Sequence, residues 1–301
     1  MTYSIVARDP RSGELGVAVQ SRWPCVGAGV VWAEPGVGAV ATQSFTEISY
    51  GPLGLEAMRA GTSAPDALAD LLAEDPQAAV RQVGMVDAIG RSAAHTGDRC
   101  VEAAGHVTTE NLSIQANMME RPTVWPAMAE AYRSTDGDLA DRLLAALRAA
   151  EAEGGDVRGR QSSALLVVPG AGPRWATRFD LRVDDDRAPL DELARLLRLS
   201  RAYEAFDRTE KLARAGDLAA AAEIMQEARA LAPDDDQIAL WTAMFLTGAG
   251  RIDEARSLFS SAVAAEPRSA EHIRRFVSAG HLPPQVGPAI ALLEAPDPPA
   301  S

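Results

Sequence analysis

The residue best equipped for chemistry in this chain stands second. A threonine directly follows the initiator methionine, and an initiator methionine is normally removed before a side chain this small. Thr2 would then carry both a hydroxyl and a free α-amine. The amine's pKa of about 7.7–8.0 lets it take the hydroxyl proton and serve as general base. The chemistry that follows is acyl transfer: Oγ attacks an amide or ureido carbonyl, an acyl ester forms, and water releases it. Thr2 also opens the β-rich run YSIVAR, so a sheet would hold it in place from its first atom.

The other candidates are more ambiguous. His95, in Ala94-His95-Thr96-Gly97, ends a strand and fits a proton-accepting or substrate-orienting role, or a packed histidine. Asn117, in Gln115-Ala116-Asn117, fits an oxyanion or substrate donor, or a turn former. Arg158, Arg160 and Gln161 make a polar cluster before an apolar strand. Arginine suits planar carboxylate or ureido groups, and pairing with Asp156 or Asp180 is the equal alternative. Ser21 and Ser44 lack a neighbouring histidine or a GxSxG elbow, so a serine triad is not expected. Cys25 follows Pro24 with no base beside it and reads as a packed thiol.

Composition narrows the function class. The net charge of −13 argues against a nucleic-acid partner. Basic charge is almost wholly arginine, Lys211 being the single lysine, which removes lysine from almost any mechanism. Two cysteines exclude a disulfide framework and a cysteine zinc site. The four histidines, His95, His106, His272 and His281, show no metal spacing. There is no P-loop and no GxGxxG, so neither metal nor cofactor is expected. No apolar run approaches the roughly 18 residues of a membrane span, and no secretory signal pattern is visible. A cytoplasmic protein acting on a small-molecule substrate is the expectation.

The elements that must position Thr2 come as strands in pairs. Residues 3–8 and 15–19 flank a turn at Pro10–Gly13, and residues 26–33 and 37–43 flank another at Glu34-Pro35-Gly36. Helices are expected over 53–60 and 64–73, the second capped by Ser63. Strands follow at 82–87, 92–96, 100–105 and 112–117, then helices at 122–133 and 139–151, then strands at 163–168 and 178–183. Near-continuous apolar strands want cover on both faces. This order therefore predicts an α+β fold over residues 1–188, two sheets sandwiched between helix layers as αββα.

From 190 to 279 the pattern is helical, and it repeats. Ala215-Gly216 recurs as Ala249-Gly250, and Pro233 as Pro267. Ala221, Met225 and Ala228 match Ala255, Phe259 and Ala262. The spacing of about 34 residues is the tetratricopeptide register, predicting a small all-α module over 189–282. Residues 283–301, rich in Pro and Ala, are expected to be loosely ordered. Two repeats are few for a solenoid, so residues 190–282 are expected to lean on the first domain or on a partner, through binding of another protein or self-association.

Several stretches resemble the N-terminal nucleophile (Ntn) hydrolase superfamily. In its proteasome-like members a terminal Thr begins the first strand, and the second strand ends in an AADSR-like segment. Here that strand ends Ala18-Val19-Gln20-Ser21-Arg22, placing Gln20 where those enzymes have an aspartate. Their next strand pair leads to an oxyanion-hole amide, and Ala41-Thr42-Gln43-Ser44 stands at the equivalent step. The turn Gly154-Gly155-Asp156-Val157-Arg158-Gly159 makes Asp156 the matching carboxylate. The closer resemblance is to a bacterial family within it, domain of unknown function 1028. Its sequences look like this one in TYSIVARDPRSGELGVAVQSR (2–22), GVGAVATQS (36–44), YGPLGLE (50–56), AAHTG (93–97), IQANMM (114–119), GGDVRGRQSSALLVV (154–168) and DLRVDD (180–185).

The resemblance implies an Ntn-type amidohydrolase whose catalytic group is Thr2, Asp156, Ser44 and Asn117. Substrate would be held by Gln20, Ser21, Arg22, Gln43, His95, Arg158 and Gln161. The set is expected to converge at one end of the sandwich on a small polar metabolite with a scissile C–N bond. Stacking through helix layers, as in related sandwiches, implies a homo-oligomer. Two departures stand out: the proteasome-type lysine is absent, and Gln20 is neutral. Either the α-amine alone acts as base, helped by Arg8 or Arg22 and Asp156, or the chain is a catalytically silent scaffold recruiting a partner through its repeats.

Overall fold

A computed structural model describes residues 2–281 together with Val286, Gly287 and Ala291; the rest of the tail expected to be loosely ordered lies outside the described residues. The chain divides into two compact units, residues 1–196 and 197–301, with the division inside the helix Pro189–Arg214.

The first unit is the expected αββα arrangement. One six-stranded antiparallel sheet runs β10 (Phe179–Val183), β9 (Ser162–Val168), β2 (Leu15–Ser21), β1 (Thr2–Arg8), β8 (Leu112–Ala116), β7 (Gly105–Thr109). A four-stranded antiparallel sheet runs β3 (Val31–Glu34), β4 (Gly38–Ser44), β5 (Arg81–Asp87), β6 (Ser92–Thr96). Helices α1 (Tyr50–Arg59) and α2 (Ala64–Glu74) cover the four-stranded sheet, and α3 (Val124–Ser134) and α4 (Leu139–Ala152) cover the six-stranded one. Ser63 caps α2 as read, accepting from the Asp66 N–H at 3.1 Å.

Strand periodicity of two decides what faces what. Along β1, Tyr3 and Ile5 turn towards α4, where the Tyr3 hydroxyl donates to Glu151 at 2.8 Å. Thr2, Ser4 and Val6 turn inward between the sheets. There Val6, Val17, Val19, Ala39, Ala41 and Val86 share one buried apolar cluster. The helix layer sits close: a Cβ on Gly16 would come within 2.6 Å of Leu143 Cδ1.

Two strands depart from the reading of the sequence. Residues 26–33 split into a 3-10 turn, Val26–Ala28, and the short β3. Cys25 takes a left-handed φ of 55° and its carbonyl accepts from Ala28 N–H, which breaks the run despite its apolar content. The strand expected at 100–105 lies at Gly105–Thr109 instead. Cys100 closes a turn on Gly97, and the β-branched Val107-Thr108-Thr109 pairs with β8.

The second unit holds α6 (Leu218–Leu231), α7 (Asp236–Gly248), α8 (Ile252–Ala265) and α9 (Ser269–Ser278), with the end of α5 (Pro189–Arg214). Gly216 and Gly250 follow the first helix of each repeat, α5 and α7, with φ of 80° and 81°. The matched pairs Ala221/Ala255, Met225/Phe259 and Ala228/Ala262 are all buried. The rings of Phe206, Trp241, His272 and Phe276 form a half-buried row, successive centroids 4.8–5.9 Å apart.

Candidate functional site

Thr2 and Ser21 face each other across the paired ends of β1 and β2. The Thr2 hydroxyl donates to Ser21 Oγ at 3.0 Å, and both side chains are buried. The backbone of Thr2 is held on the other side as well. Its N–H donates to the Asn117 carbonyl at 3.4 Å, and Asn117 N–H donates back to the Thr2 carbonyl at 3.1 Å. That carbonyl also accepts from Gln43 Nε2 at 3.1 Å and Asn117 Nδ2 at 3.4 Å.

A cavity of about 590 Å³ opens over this strand end. Thr2, Ser21, Ser44, Thr46 and Arg158 supply its polar lining; Trp23, Pro24, Val26, Val30, Phe45 and Ile48 make up much of the rest. Two of its residues, Cys25 at φ 55° and Ser44 at φ 71°, hold the left-handed conformation that costs a non-glycine residue about 1–3 kcal/mol. Such strain persists where surrounding structure fixes it, and here both positions turn the chain around the opening.

Asp156 is buried one step behind the wall. Its carboxylate accepts from Arg22 N–H at 3.3 Å, from Arg158 N–H at 2.9 Å, and from the Arg158 guanidinium at 3.1 and 2.7 Å. Asp156 is therefore linked to Thr2 through Arg22 and Ser21. Its role in this geometry is to fix the end of β2 and aim Arg158.

The remaining candidates divide. Arg22 donates to Gln161 Oε1 at 2.6 Å, and Gln161 N–H donates to the Ser21 carbonyl at 3.1 Å, so this pair braces the strand end from outside. Gln20 is paired with Tyr3, not Thr2, and period two puts its side chain on the opposite face of the sheet. Both its amide atoms are buried there with no hydrogen-bond partner among the described residues. His95 is bound at Nε2 to the Ala78 carbonyl, 2.8 Å away, and is paired with Val83 on the second sheet. Neither Gln20, His95, Gln43 nor Asn117 lines the cavity. The cavity's lining is thus mainly apolar, with Thr2, Ser21, Ser44, Thr46 and Arg158 as its polar members.

Gln43 and Asn117 belong instead to a polar layer between the sheets that the sequence reading missed. Gln43 Nε2 donates to Gln82 Oε1 at 2.7 Å, as does Asn117 Nδ2 at 2.7 Å. Gln82 Nε2 in turn lies 2.8–3.2 Å from Thr96 Oγ1, the Gly105 carbonyl and the Ala116 carbonyl. Ser4, Ser113 and Gln115 complete it, Gln115 Nε2 donating to Ser4 Oγ at 2.6 Å. Room for the layer comes from Gly84, where a Cβ would lie 2.1 Å from Gln115 Oε1. The signal was a polar residue at every second position in otherwise apolar strands: Thr2 and Ser4; Ser113, Gln115 and Asn117.

The segment carrying Ser44 and Phe45 has its own anchor. Arg81 donates to the Phe45 carbonyl at 2.7 Å and to Asp75 at 2.8 Å, both side chains nearly buried. The Arg81 hydrogen bond holds the Asp75 carboxyl below its ordinary range, with help from Gln77 N–H and the Tyr50 hydroxyl. A depressed carboxylate pKa gives stability that is present above the unfolded value of about 3.9 and lost as pH falls through the folded one. We therefore expect Asp75→Asn to lower stability by about 1–2 kcal/mol at pH 7. The gap to wild type should close as pH falls below about 4. Thermal melts across that range check it; a gap independent of pH would contradict the assignment.

Among the described residues no cluster of His, Cys, Asp and Glu is placed to hold a metal ion, and no helix is long and apolar enough to cross a membrane.

Comparison with known proteins adds the following. The family model described as "Family of unknown function (DUF1028)" matches residues 2–193, and a tetratricopeptide-repeat model matches residues 212–279. The crystal structure of protein SPO2555 from Silicibacter pomeroyi, attributed to the same family, is 32% identical. It superposes with a TM-score of 0.60 over 65% of this chain and 87% of that one. No curated protein matches.

Proposed function

The chain belongs to the DUF1028 family, and on that footing we propose that it is an Ntn-type amide hydrolase whose nucleophile is Thr2, exposed by removal of Met1. The observation that carries this reading is the hydroxyl of a strand-initial threonine on the wall of a large cavity, its backbone pinned by Asn117 and Gln43. The α-amine accepts the hydroxyl proton as Oγ1 bonds to the substrate's carbonyl carbon. The resulting oxyanion is met by the Ser44 segment. As the C–N bond breaks, the leaving nitrogen takes the proton from the α-ammonium. Water, deprotonated by the same amine, then cleaves the acyl ester and restores the hydroxyl. Ser21, 3.0 Å from Thr2 Oγ1, orients it throughout, and Arg158, held by Asp156, lines the same cavity. With Lys211 the single lysine and outside the first unit, the amine is the base.

The same proposal has the protein acting in the cytoplasm as a homo-oligomer, with residues 190–282 recruiting a protein partner. The half-buried aromatic row of Phe206, Trp241, His272 and Phe276 supports the last point.

Mass spectrometry of the intact protein tests the first step. We expect active protein to lack Met1 and to begin at Thr2. Full hydrolytic activity in protein that retains Met1 would overturn the mechanism, because a peptide nitrogen cannot accept the proton.

A further inference from the structure

We propose that the substrate carries an apolar acyl arm, bound by Trp23, Phe45 and Ile48 at the mouth of the Thr2 cavity; this rests on the reading that Thr2 is the nucleophile. Four of the cavity's polar residues are Thr2, Ser21, Ser44 and Arg158; the fifth, Thr46, stands on the exposed segment between Phe45 and Ile48. Away from them the lining is Pro24, Val26 and Val30, and then the mouth. There Trp23 is 65% exposed, Phe45 55% and Ile48 51%. Single exposed apolar residues are ordinary, but three converging on one opening mark a surface meant to be covered.

What would cover it follows from the rest of the lining. The amides that would grip a compact polar molecule do not line the cavity: Gln43 and Asn117 are bonded in the layer between the sheets, and Gln20 points to the far face. The charge of Arg158 is matched by Asp156, which it meets through two guanidinium nitrogens. A cavity of about 590 Å³ is also larger than a small polar metabolite needs. A ligand whose carbonyl sits over Thr2 and whose acyl chain runs past Val26 and Val30 to the mouth satisfies both halves. Such a ligand is an N-acyl amide with an aliphatic or aromatic acyl group.

The test measures binding, so it does not depend on turnover. Full-length protein carrying Thr2→Ala is titrated calorimetrically with N-acetyl-, N-butanoyl-, N-hexanoyl- and N-octanoylglycinamide, and with N-carbamoylglycinamide as the compact polar comparator. We expect affinity to rise about fourfold for each methylene up to hexanoyl, with the carbamoyl compound weakest. Trp23→Ser and Ile48→Asn, both at exposed positions and checked by thermal melts, should each at least halve the logarithmic slope. A flat series, tightest binding of the carbamoyl compound, or a slope untouched by both substitutions would overturn the proposal. So would a dimer, seen by sedimentation, that Trp23→Ser dissociates while the series stays flat, because a second copy would then be the natural cover. Failure of the nucleophile reads differently: wild type that binds the hexanoyl amide with the expected slope but never cleaves it.

Discussion

Thr2→Ala should abolish hydrolysis, by roughly 10³-fold or more in kcat, while leaving the fold standing. The catalytic loss follows because the substitution deletes the attacking oxygen and nothing else nearby can replace it. Ser21 and Ser44 both line the cavity, but neither carries an α-amine, and His95 is bound to Ala78 on the other sheet. The structural cost is one hydrogen bond, from the hydroxyl to Ser21, worth about 1 kcal/mol. Every backbone bond that pins Thr2 survives the change. The melting temperature should therefore fall by only about 2–4 °C. Thr2→Ser, which keeps hydroxyl and amine, should retain part of the activity. Cleavage by Thr2→Ala at the wild-type rate, assayed on the acyl amides above, would remove Thr2 from the chemistry.

Gln82→Leu should be among the most damaging single changes in the first unit, lowering stability by about 3–6 kcal/mol. Leucine fits the volume, but it strips partners from groups that have no water to turn to. Gln43 Nε2 and Asn117 Nδ2 both donate to Gln82 Oε1, and the Ala116 carbonyl accepts from its Nε2. All three residues are fully buried; Gln43 and Asn117 keep the Thr2 carbonyl as an acceptor, so the cost is that of the five bonds lost with Gln82, about 0.5–1.5 kcal/mol each. At about 2–4 °C per kcal/mol, the melting temperature should drop by roughly 10–20 °C. Urea unfolding of the variant gives the free energy directly. A loss under about 1 kcal/mol would mean the layer repacks around leucine and is not the rigid support described. Because Gln43 also holds the Thr2 carbonyl, any folded Gln82→Leu protein should show reduced kcat as well.

The parts of this molecule legible in the sequence are those written in short-range chemistry. The strand beginning at Thr2, the Ser63 cap and the recurrence of Gly216 at Gly250 all rest on neighbours in the chain, and each was readable. Resemblance brought Thr2, Ser21, Ser44 and Asp156 together on paper; the fold brings Thr2, Ser21 and Ser44 to one cavity and sets Asp156 behind it. Gln20 shows what a motif alone misses. It follows the family's spacing, yet pairing Thr2 with Ser21 turns it to the other face. Val26 to Ala33 looked like a strand because its composition is apolar, and nothing local announces the left-handed Cys25 that breaks it. The amide layer joins residues up to 115 positions apart, so only the alternation within each strand hinted at it.

The residues at the mouth and those at the floor of the cavity come from different kinds of backbone. Thr2, Ser21 and Ser44 are strand termini, locked in register by two sheets. Trp23, Phe45 and Ile48 sit on the connecting segments after β2 and after β4, outside any strand. Loops tolerate change that strands do not. Selectivity can therefore drift, or be bred by randomising three loop positions, without disturbing the hydrolytic frame. A library at 23, 45 and 48 amounts to swapping the lens while the camera body stays as built.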